Sequence, residues 1–307
     1  MKTRFIINPE AGDGKTENLW PKIEKELHDH SVTADKVYTA KRGDGIRLTR
    51  QALDLGFERV VSVGGDGTLN EVVNGFFEEE KLINPDAVLG FIMTGRVNDF
   101  RKTVETPSDL EGSIAKLLHG RIKKMDLINV RYIAHEGMIN NRYSINMSSF
   151  GISGDVCKKV NDSKLGMLLG GTGVFFYESL SALAEYKNKN VVWKIDDGQE
   201  TEGNIRLFAA ANGKYAGGSM LLAPDAKIDD GFMDYLIVED MNAMSSLLHL
   251  NRLYTGNYSG MPGVSTGKAK KIEADSRESV HLEIEGECVG RLPAVFSVVS
   301  SVLNVQL

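Results

Sequence analysis

An acidic side chain stands inside a glycine loop at Gly64-Gly65-Asp66-Gly67-Thr68, between an apolar run and a helical pattern. Glycine lets the backbone lie close to a ligand, and the N–H groups at the start of a helix favour phosphate oxygens. A carboxylate aimed at phosphates is repulsive unless a metal lies between them or the carboxylate orients a nucleophile. The loop therefore favours metal-assisted phosphoryl chemistry, and a tight turn capped by Asp66 is the alternative interpretation.

Two common phosphate-binding motifs do not describe this loop. It lacks the lysine of a Walker P-loop, and its glycines do not follow the Gly-x-Gly-x-x-Gly spacing of a dinucleotide fold. Any further phosphate contacts must therefore come from other parts of the chain.

Four apolar runs are each followed by a loop and then by a helical pattern, at residues 3–7, 35–39, 60–63 and 88–93. Such repeats predict a doubly wound parallel sheet, because right-handed crossovers place helices on both of its faces. Ligands of these sheets bind beyond the carboxyl ends of the strands. The four loops expected to gather there are 8–14, 40–44, 64–68 and 94–100.

The second half of the chain has a different pattern. From about residue 124, strand-like runs follow one another without regular helices, which predicts a mainly antiparallel β-rich domain. Helices are expected only near residues 175–186 and 244–254. We therefore assign residues 1–124 to the first domain and 125–292 to the second. The last segment, about 293–307, is a candidate for a return of the chain to the first domain.

Charge and hydropathy exclude several classes of protein. A formal net charge of −6 argues against a nucleic-acid-binding protein and against strong electrostatic attraction to anionic membranes. No apolar run approaches the ~20 residues that span a bilayer, so we do not expect an integral membrane protein. The N-terminus does not read as a signal peptide, which favours the cytoplasm. Any contact with lipid must be local and apolar.

Four separated segments, 8–12, 64–71, 95–100 and 224–234, together resemble the diacylglycerol kinase catalytic family of bacterial lipid kinases. Their order and spacing also match, and the resemblance extends to residues 146–151 and 211–218. It implies an NAD-kinase-like N-terminal α/β domain, a C-terminal β-sandwich, and transfer of the γ-phosphoryl group of ATP to a lipid hydroxyl such as that of diacylglycerol. It thereby implies ATP and Mg²⁺, and a lipid substrate reached transiently at the membrane surface. A homodimer is left open.

The resemblance also assigns nucleotide contacts residue by residue. They are Asn8, Pro9, Glu10, Ala11, Gly12, Thr39, Gly65, Asp66, Gly67, Thr68, Leu69, Asn70, Glu71, Gly95, Arg96, Asn98 and Asp99. Backbone N–H groups and small hydroxyls can hold phosphates where no lysine is present.

A structural metal site and a base follow from the same resemblance. A structural magnesium would be held by the carboxylate of Asp230 and the carbonyls of Lys227 and Phe232, since oxygen ligands suit a hard cation. A hairpin turn is the alternative interpretation of that segment. The position of the family's base is occupied by Glu285, which would accept the hydroxyl proton.

Asp66 is expected to organise the catalytic magnesium and its waters, with Asp126 as a helper. For Asp126, a solvated start of a strand is the alternative.

The sequence departs from the family pattern at two positions. Gly95-Arg96-Val97-Asn98-Asp99 has an arginine where the family has a threonine. That arginine could block the nucleotide pocket, reach a phosphate, or pair with Asp66 or Asp99. The family's base is an aspartate, so Glu285 carries its carboxylate about one methylene further out.

Apolar runs at residues 167–169, 174–176 and 220–222 are candidates for contacts with an acyl chain, although such runs are more often core. Two other functions remain open at this stage. One is an NAD-kinase-like kinase of a soluble metabolite, and the other is a nucleotide-binding or lipid-binding protein with weakened catalysis.

Overall fold

The computed structural model describes residues 1–162, 181, 182 and 184–307. The chain forms two compact units, of which the first contains Met1–Leu127 and Ser300–Leu307 and the second contains Ile128–Val299. Two long strands, Ile122–Ala134 and Glu287–Gln306, run through the boundaries and contribute residues to both units. The C-terminal eight residues, 300–307, therefore return to the first unit.

A parallel sheet forms the centre of the first unit, as the repeats predict. Its strands lie in the order Asp35–Tyr38, Thr3–Ile7, Arg59–Gly64 and Val88–Met93. Asn304 and Val305 extend it in parallel next to Val88–Met93. The helices of this unit are Lys15–Asp29, Asp44–Asp54, Asp66–Gly75, Asp99–Thr103 and Leu110–His119, and a small hairpin joins Phe77–Glu78 to Lys81–Leu82.

Apolar side chains at helical spacing attach these helices to the sheet. On the Lys15–Asp29 helix, Trp20, Ile23 and Leu27 are buried in one cluster with Phe5 and other strand residues. The neighbouring strand residue Ile6 is also completely buried. Because neighbouring strand residues point to opposite faces of the sheet, both faces are covered.

The second unit is mainly antiparallel, again as predicted. Besides parts of the two long strands it contains Ile139–Ser144, Met147–Gly151, Lys189–Ile195, Thr201–Ala211, Tyr215–Ala216, Met220–Leu221, Met233–Glu239, Val264–Ala269, Lys271–Asp275 and His281–Ile284. The pairings of these strands are antiparallel. Phe150 lies at the centre of its core, with its ring stacked on that of Phe208 at 4.7 Å and tilted against Phe296 at 6.2 Å.

Helices of the second unit differ from the sequence prediction. The described ones are Ile152–Asp162, Ala243–Leu248 and Leu250–Thr255. The first was missed because Gly151 and Gly154 weaken the helical pattern, yet Gly154 lets the helix approach the carbonyl of His281 closely. The single helix expected at 244–254 is two short ones.

Other expectations for this unit have mixed outcomes. The strand expected over residues 142–147 is interrupted at Ile145 and Asn146, where the carbonyl of Asn146 accepts the N–H groups of Asn212 and Gly213. The predicted helix at 175–186 lies mostly outside the described residues, as do the apolar runs 167–169 and 174–176. Within the described ranges, none of the helices has the length and apolarity needed to cross a membrane.

Candidate active site

The four loops at the carboxyl ends of the parallel strands are joined to one another by hydrogen bonds. Between the first and third loops, Nδ2 of Asn8 donates to Oγ1 of Thr68 at 2.9 Å. The hydroxyl of Thr16, in the first turn of the helix after the first loop, shares a hydrogen bond of 2.6 Å with the hydroxyl of Thr94 in the fourth loop. These bonds bring together segments that are far apart in the sequence.

Close approach of the backbones explains two of the glycines. A Cβ placed on Gly95 would lie 2.5 Å from the Cα of Gly65, so the third and fourth loops touch main chain to main chain. Gly12 has φ +66, and a Cβ there would lie 2.5 Å from the carbonyl oxygen of Thr94. Larger side chains at these positions would push the loops apart.

Asp66 is the first residue of the Asp66–Gly75 helix and is partly exposed. Its carboxylate accepts the N–H groups of Asp99 and Phe100, both at 3.3 Å, and so caps the start of the Asp99–Thr103 helix. Burial raises the pKa of Asp66 and the neighbouring Asp99 charge adds to this, while the N–H donors oppose it. The cap predicted as an alternative is thus present, but on the neighbouring helix.

Glu71 connects the third loop to the second. It is buried, and its two carboxylate oxygens accept the N–H groups of Gly43 at 2.8 Å and Gly45 at 2.9 Å. Leu69 and Asn70 beside it are completely buried. The side chains at these three positions therefore have protein surroundings and support the loops from within.

The remaining first-unit positions assigned to the nucleotide lie at the carboxyl edge of the sheet. The N–H of Thr39 donates to the carbonyl of Ile7 at 2.9 Å, and that of Ala11 donates to the carbonyl of Asn8 at 3.2 Å. Pro9, Glu10 and Gly67 are at least partly exposed.

Arg96 pairs with an acidic residue that the sequence did not single out. Its guanidinium contacts both carboxylate oxygens of Asp13, with Nε at 2.5 Å from Oδ2, and not Asp66 or Asp99, the partners that one of the three alternatives named. Asp99 instead accepts a hydrogen bond from Lys102 at 2.7 Å. The local ion pair thus joins the fourth loop to the first, which sequence spacing alone could not reveal.

An unused acceptor lies beside this pair. Asn98 has φ +54, and its Nδ2 donates to the carbonyl of Gly95 at 2.7 Å. Its Oδ1 is buried and, in the part of the chain that is described, has no hydrogen-bond partner. A donor on a bound ligand would satisfy this atom.

Asp126 is completely buried, so the solvated interpretation of this residue is wrong. Its Oδ1 accepts the N–H of Ser301 at 2.6 Å and the hydroxyl of Ser300 at 3.2 Å. The carboxylate therefore anchors the returning C-terminal segment.

In the second unit, Glu285 and Gly286 form a two-residue turn between His281–Ile284 and the strand that begins at Glu287. Their φ values are +54 and +80, a combination typical of tight hairpin turns that costs energy for a glutamate. Oε1 of Glu285 accepts hydrogen bonds from the hydroxyl of Ser144 at 2.6 Å and from the N–H groups of Asn146 at 2.6 Å and Met147 at 3.2 Å. These donors fix the carboxylate at the tip of the turn.

Two further motifs of the sequence meet beside this turn. Nδ2 of Asn146 donates to the carbonyl of Tyr215 at 2.9 Å, and Nδ2 of Asn212 donates to the carbonyl of Ile145 at 2.9 Å. Residues 146 and 147 thus bond to Glu285 directly, and the segment 211–218 supports it through Ile145 and Asn146.

Glu283 is a buried carboxyl that sequence reasoning missed. It accepts the hydroxyl of Ser149 and, at 2.7 Å, the N–H of Gly286 in the same turn. Burial raises its pKa to about 7, against these two donors. The available signal was a charged residue inside the apolar strand His281–Ile284.

The segment assigned to a structural magnesium is a turn that precedes the Met233–Glu239 strand. Asp230 accepts the N–H of Phe232 at 3.1 Å, and Lys268 bridges Asp230 and Asp234 with its ammonium at 2.8 Å from each. Asp225 adds a third negative charge near Asp234. Carboxylate oxygens suit a hard cation, and the three acidic side chains here outnumber the one ammonium, which favours a cation as well.

Residues 220–222 are divided between core and surface. Leu222 is buried in a core cluster, whereas Met220 and Leu221 are only partly buried. Met220 packs against the edge of that cluster.

Comparisons with known proteins extend over almost the whole chain. Residues 2–130 match the family described as the diacylglycerol kinase catalytic domain, and residues 146–307 match the YegS C-terminal NAD kinase beta sandwich-like domain. A diacylglycerol kinase of Staphylococcus epidermidis is 33% identical, covering 96% of this chain and 88% of its own. A diacylglycerol kinase of Staphylococcus carnosus is 31% identical, and the match covers 96% of this chain and 91% of that protein.

Two crystal structures from Bacillus anthracis strain Sterne share the fold. They have TM-scores of 0.76 and 0.72 at 23% and 19% identity, and each match covers 99% of this chain. The matches cover 97% and 96% of the two crystallised chains, the second of which is a diacylglycerol kinase.

Proposed function

Since the chain belongs to the diacylglycerol kinase catalytic family and is a lipid kinase, we propose that its donor is the γ-phosphoryl group of ATP and its acceptor is the hydroxyl of a diacylglycerol. In this reaction the bond between the γ-phosphorus and the bridging oxygen of ADP breaks, and a bond from the lipid oxygen to phosphorus forms. The hydroxyl proton passes to a carboxylate. The products are ADP and a phosphatidic acid.

The joined loops of the first unit support the nucleotide part of this proposal. Gly12, Gly65 and Gly95 bring backbone N–H groups into one region without side chains in the way. The Asp66–Gly75 helix begins there, and its first N–H groups lack partners within the helix. The unused Oδ1 of Asn98 can accept a donor from the nucleotide. Phosphoryl transfer depends mainly on such positioning and on charge neutralisation.

In our proposal Glu285 accepts the proton of the lipid hydroxyl. The hydroxyl of Ser144 and two backbone N–H groups hold its carboxylate in one orientation, and a general base must be held within reach of the proton that it accepts. The positive φ of Glu285 supports a functional reason for this residue, because strained backbone is retained where surrounding contacts enforce it.

Divalent cations enter the proposal at two places. Asp66 would orient a catalytic magnesium, which when bound neutralises phosphate charge. Asp230, with the carbonyls of Lys227 and Phe232, would hold a structural magnesium that stabilises the turn. Asp126 would act only as a positioning residue, since it is buried and holds Ser301.

A transfer assay with γ-labelled ATP tests this function. The purified protein is incubated with magnesium and, separately, diacylglycerol, phosphatidylglycerol, a sphingoid base or NAD. We expect label in phosphatidic acid, and the variant Asp66→Asn serves as the inactive control. Label in NAD alone, or in none of the acceptors, would refute the proposal.

A further inference from the structure

Large apolar side chains are concentrated on the surface of one short segment. Of twelve such side chains that are exposed in the described part of the chain, five lie within eleven residues. They are Met244 (66% exposed), Leu247 (51%), Leu248 (74%), Leu250 (39%) and Tyr254 (49%). The segment consists of the helices Ala243–Leu248 and Leu250–Thr255, which we call the 243–255 helix pair, and neither helix contains a buried residue.

The first helix of the pair has one apolar face. Met244, Leu247 and Leu248 recur at helical spacing and so share one face of the first helix. Asn242 caps this helix by accepting the N–H of Ser245 at 2.9 Å. In the second helix, Leu253 packs against a core cluster and attaches the pair to the protein.

Charge in this segment differs from that of the rest of the chain. The protein has 42 acidic residues and a formal net charge of −6, yet no aspartate or glutamate lies between residues 241 and 267. Arg252 is the only lysine or arginine of that stretch, and His249 lies close to it in sequence. An anionic surface would be repelled by the protein as a whole but not by this face.

The helix pair is also connected to the candidate base through contacts within the second unit. The hydroxyl of Tyr258, just after the pair, donates to the carbonyl of Leu221 at 2.9 Å. Leu221 pairs with Tyr215, whose carbonyl accepts Nδ2 of Asn146, and the N–H of Asn146 donates to Glu285. The helix pair and the turn that carries Glu285 thus belong to one contiguous set of contacts.

We propose that the 243–255 helix pair is the surface with which this lipid kinase docks onto a bilayer, by inserting its leucine and methionine side chains at the boundary between headgroups and acyl chains. This rests on the proposed lipid acceptor, which resides in a bilayer. Shallow insertion needs apolar area and local absence of negative charge, and the segment has both. The positive charge of Arg252 complements anionic headgroups.

A second copy of the chain fits this surface less well. In a symmetric dimer each copy would contribute the same patch, with an arginine, a histidine and no carboxylate to pair with them. Stable protein interfaces also carry a polar rim with specific hydrogen bonds and charges. Insertion into a bilayer does not require such specific polar contacts.

Vesicle binding tests the proposal without any need for catalysis. Parent protein is mixed with vesicles of phosphatidylcholine containing about a quarter phosphatidylglycerol, and the bound fraction is measured by flotation. Leu247→Gln/Leu248→Gln should lower the partition coefficient at least about tenfold, since two exposed leucines are lost. The matched control is Met138→Gln/Ile139→Gln, whose side chains are 67% and 62% exposed in the same unit. It should bind as the parent does.

Three further measurements separate the outcomes. Equal thermal unfolding of both variants and the parent shows that the fold is kept. Activity on vesicle-borne diacylglycerol should fall in Leu247→Gln/Leu248→Gln, while activity on a dispersed short-chain diacylglycerol should not. If the parent phosphorylates neither lipid, the proposed acceptor is wrong. Docking is still supported in that case if the parent binds vesicles and Leu247→Gln/Leu248→Gln does not.

Docking is overturned if the parent does not float with vesicles or if the leucine variant binds as the parent does. It is also overturned if sedimentation shows a parent dimer that the leucine variant dissociates while vesicle binding is kept.

Discussion

Replacing Glu283 with glutamine should remove a pH dependence from the free energy of unfolding. In the folded protein burial raises the pKa of this carboxyl from 4.5 to about 7. Between these values the folded state keeps a proton that the unfolded state has released, so stability falls as the pH rises. At 1.36 kcal/mol per pKa unit, the loss between pH 4.5 and 7 is about 3 kcal/mol. Above the folded pKa the loss is complete.

Urea unfolding of the parent and of Glu283→Gln at pH 5, 6, 7 and about 8 measures this effect. The glutamine keeps an acceptor for the N–H of Gly286 and cannot ionise. The stability of the parent relative to the variant should therefore decrease by roughly 2 kcal/mol in total between pH 5 and 7. Glu273→Gln is the control. The hydrogen bond from Lys271 lowers the pKa of Glu273, so the difference in stability between the parent and this variant should not change between pH 5 and 8. A flat difference for Glu283→Gln would refute the reasoning.

Asp66→Asn should keep the fold and abolish phosphoryl transfer, and activity within about threefold of the parent would exclude a catalytic role. Asp230→Ala should remove the rise in Tm that magnesium produces in the parent. Lys268→Met removes a competing ammonium and should enlarge that rise. Equal rises in the parent and in both variants would disprove the metal site. Arg96→Thr/Asp13→Ala, which removes both partners of one ion pair, should tighten ATP binding in calorimetry by freeing space near the nucleotide. A loss of roughly 1.5–3 kcal/mol would instead identify the guanidinium as a phosphate ligand.

Local signals in the sequence were sufficient for the four parallel strands of the first unit and the longer helices that follow them. The apolar run before Gly64 and the helical spacing of Leu69, Val72 and Val73 predict a strand, a loop and a helix, and the structure has Arg59–Gly64 followed by Asp66–Gly75. Such patterns depend on neighbours within a few residues, so a single sequence carries them. The gathering of the four loops follows from the handedness of parallel crossovers.

Tertiary structure alone decided what individual polar side chains do. The sequence offered Asp66 and Asp99 as partners for Arg96, but the chain path brings Asp13 to it from 83 residues away. Asp126 is buried because Ser300 and Ser301 return to its strand from the C-terminus. Partners this distant leave no periodic trace in a sequence.

Burial of a charge is likewise a property of the folded chain. The strand pattern at His281–Ile284 shows a charged residue among apolar ones but not how deeply Glu283 is buried, because water is excluded from it by strand Met147–Gly151 and by the turn at Gly286. In the same way, the helix expected at residues 244–254 did not indicate whether its apolar residues are buried, and the structure shows five of them exposed. The sequence determined which residues are charged and which are apolar. The packing of distant segments determined which of them are exposed to water, because the burial of a side chain depends on contacts with residues far away in the sequence.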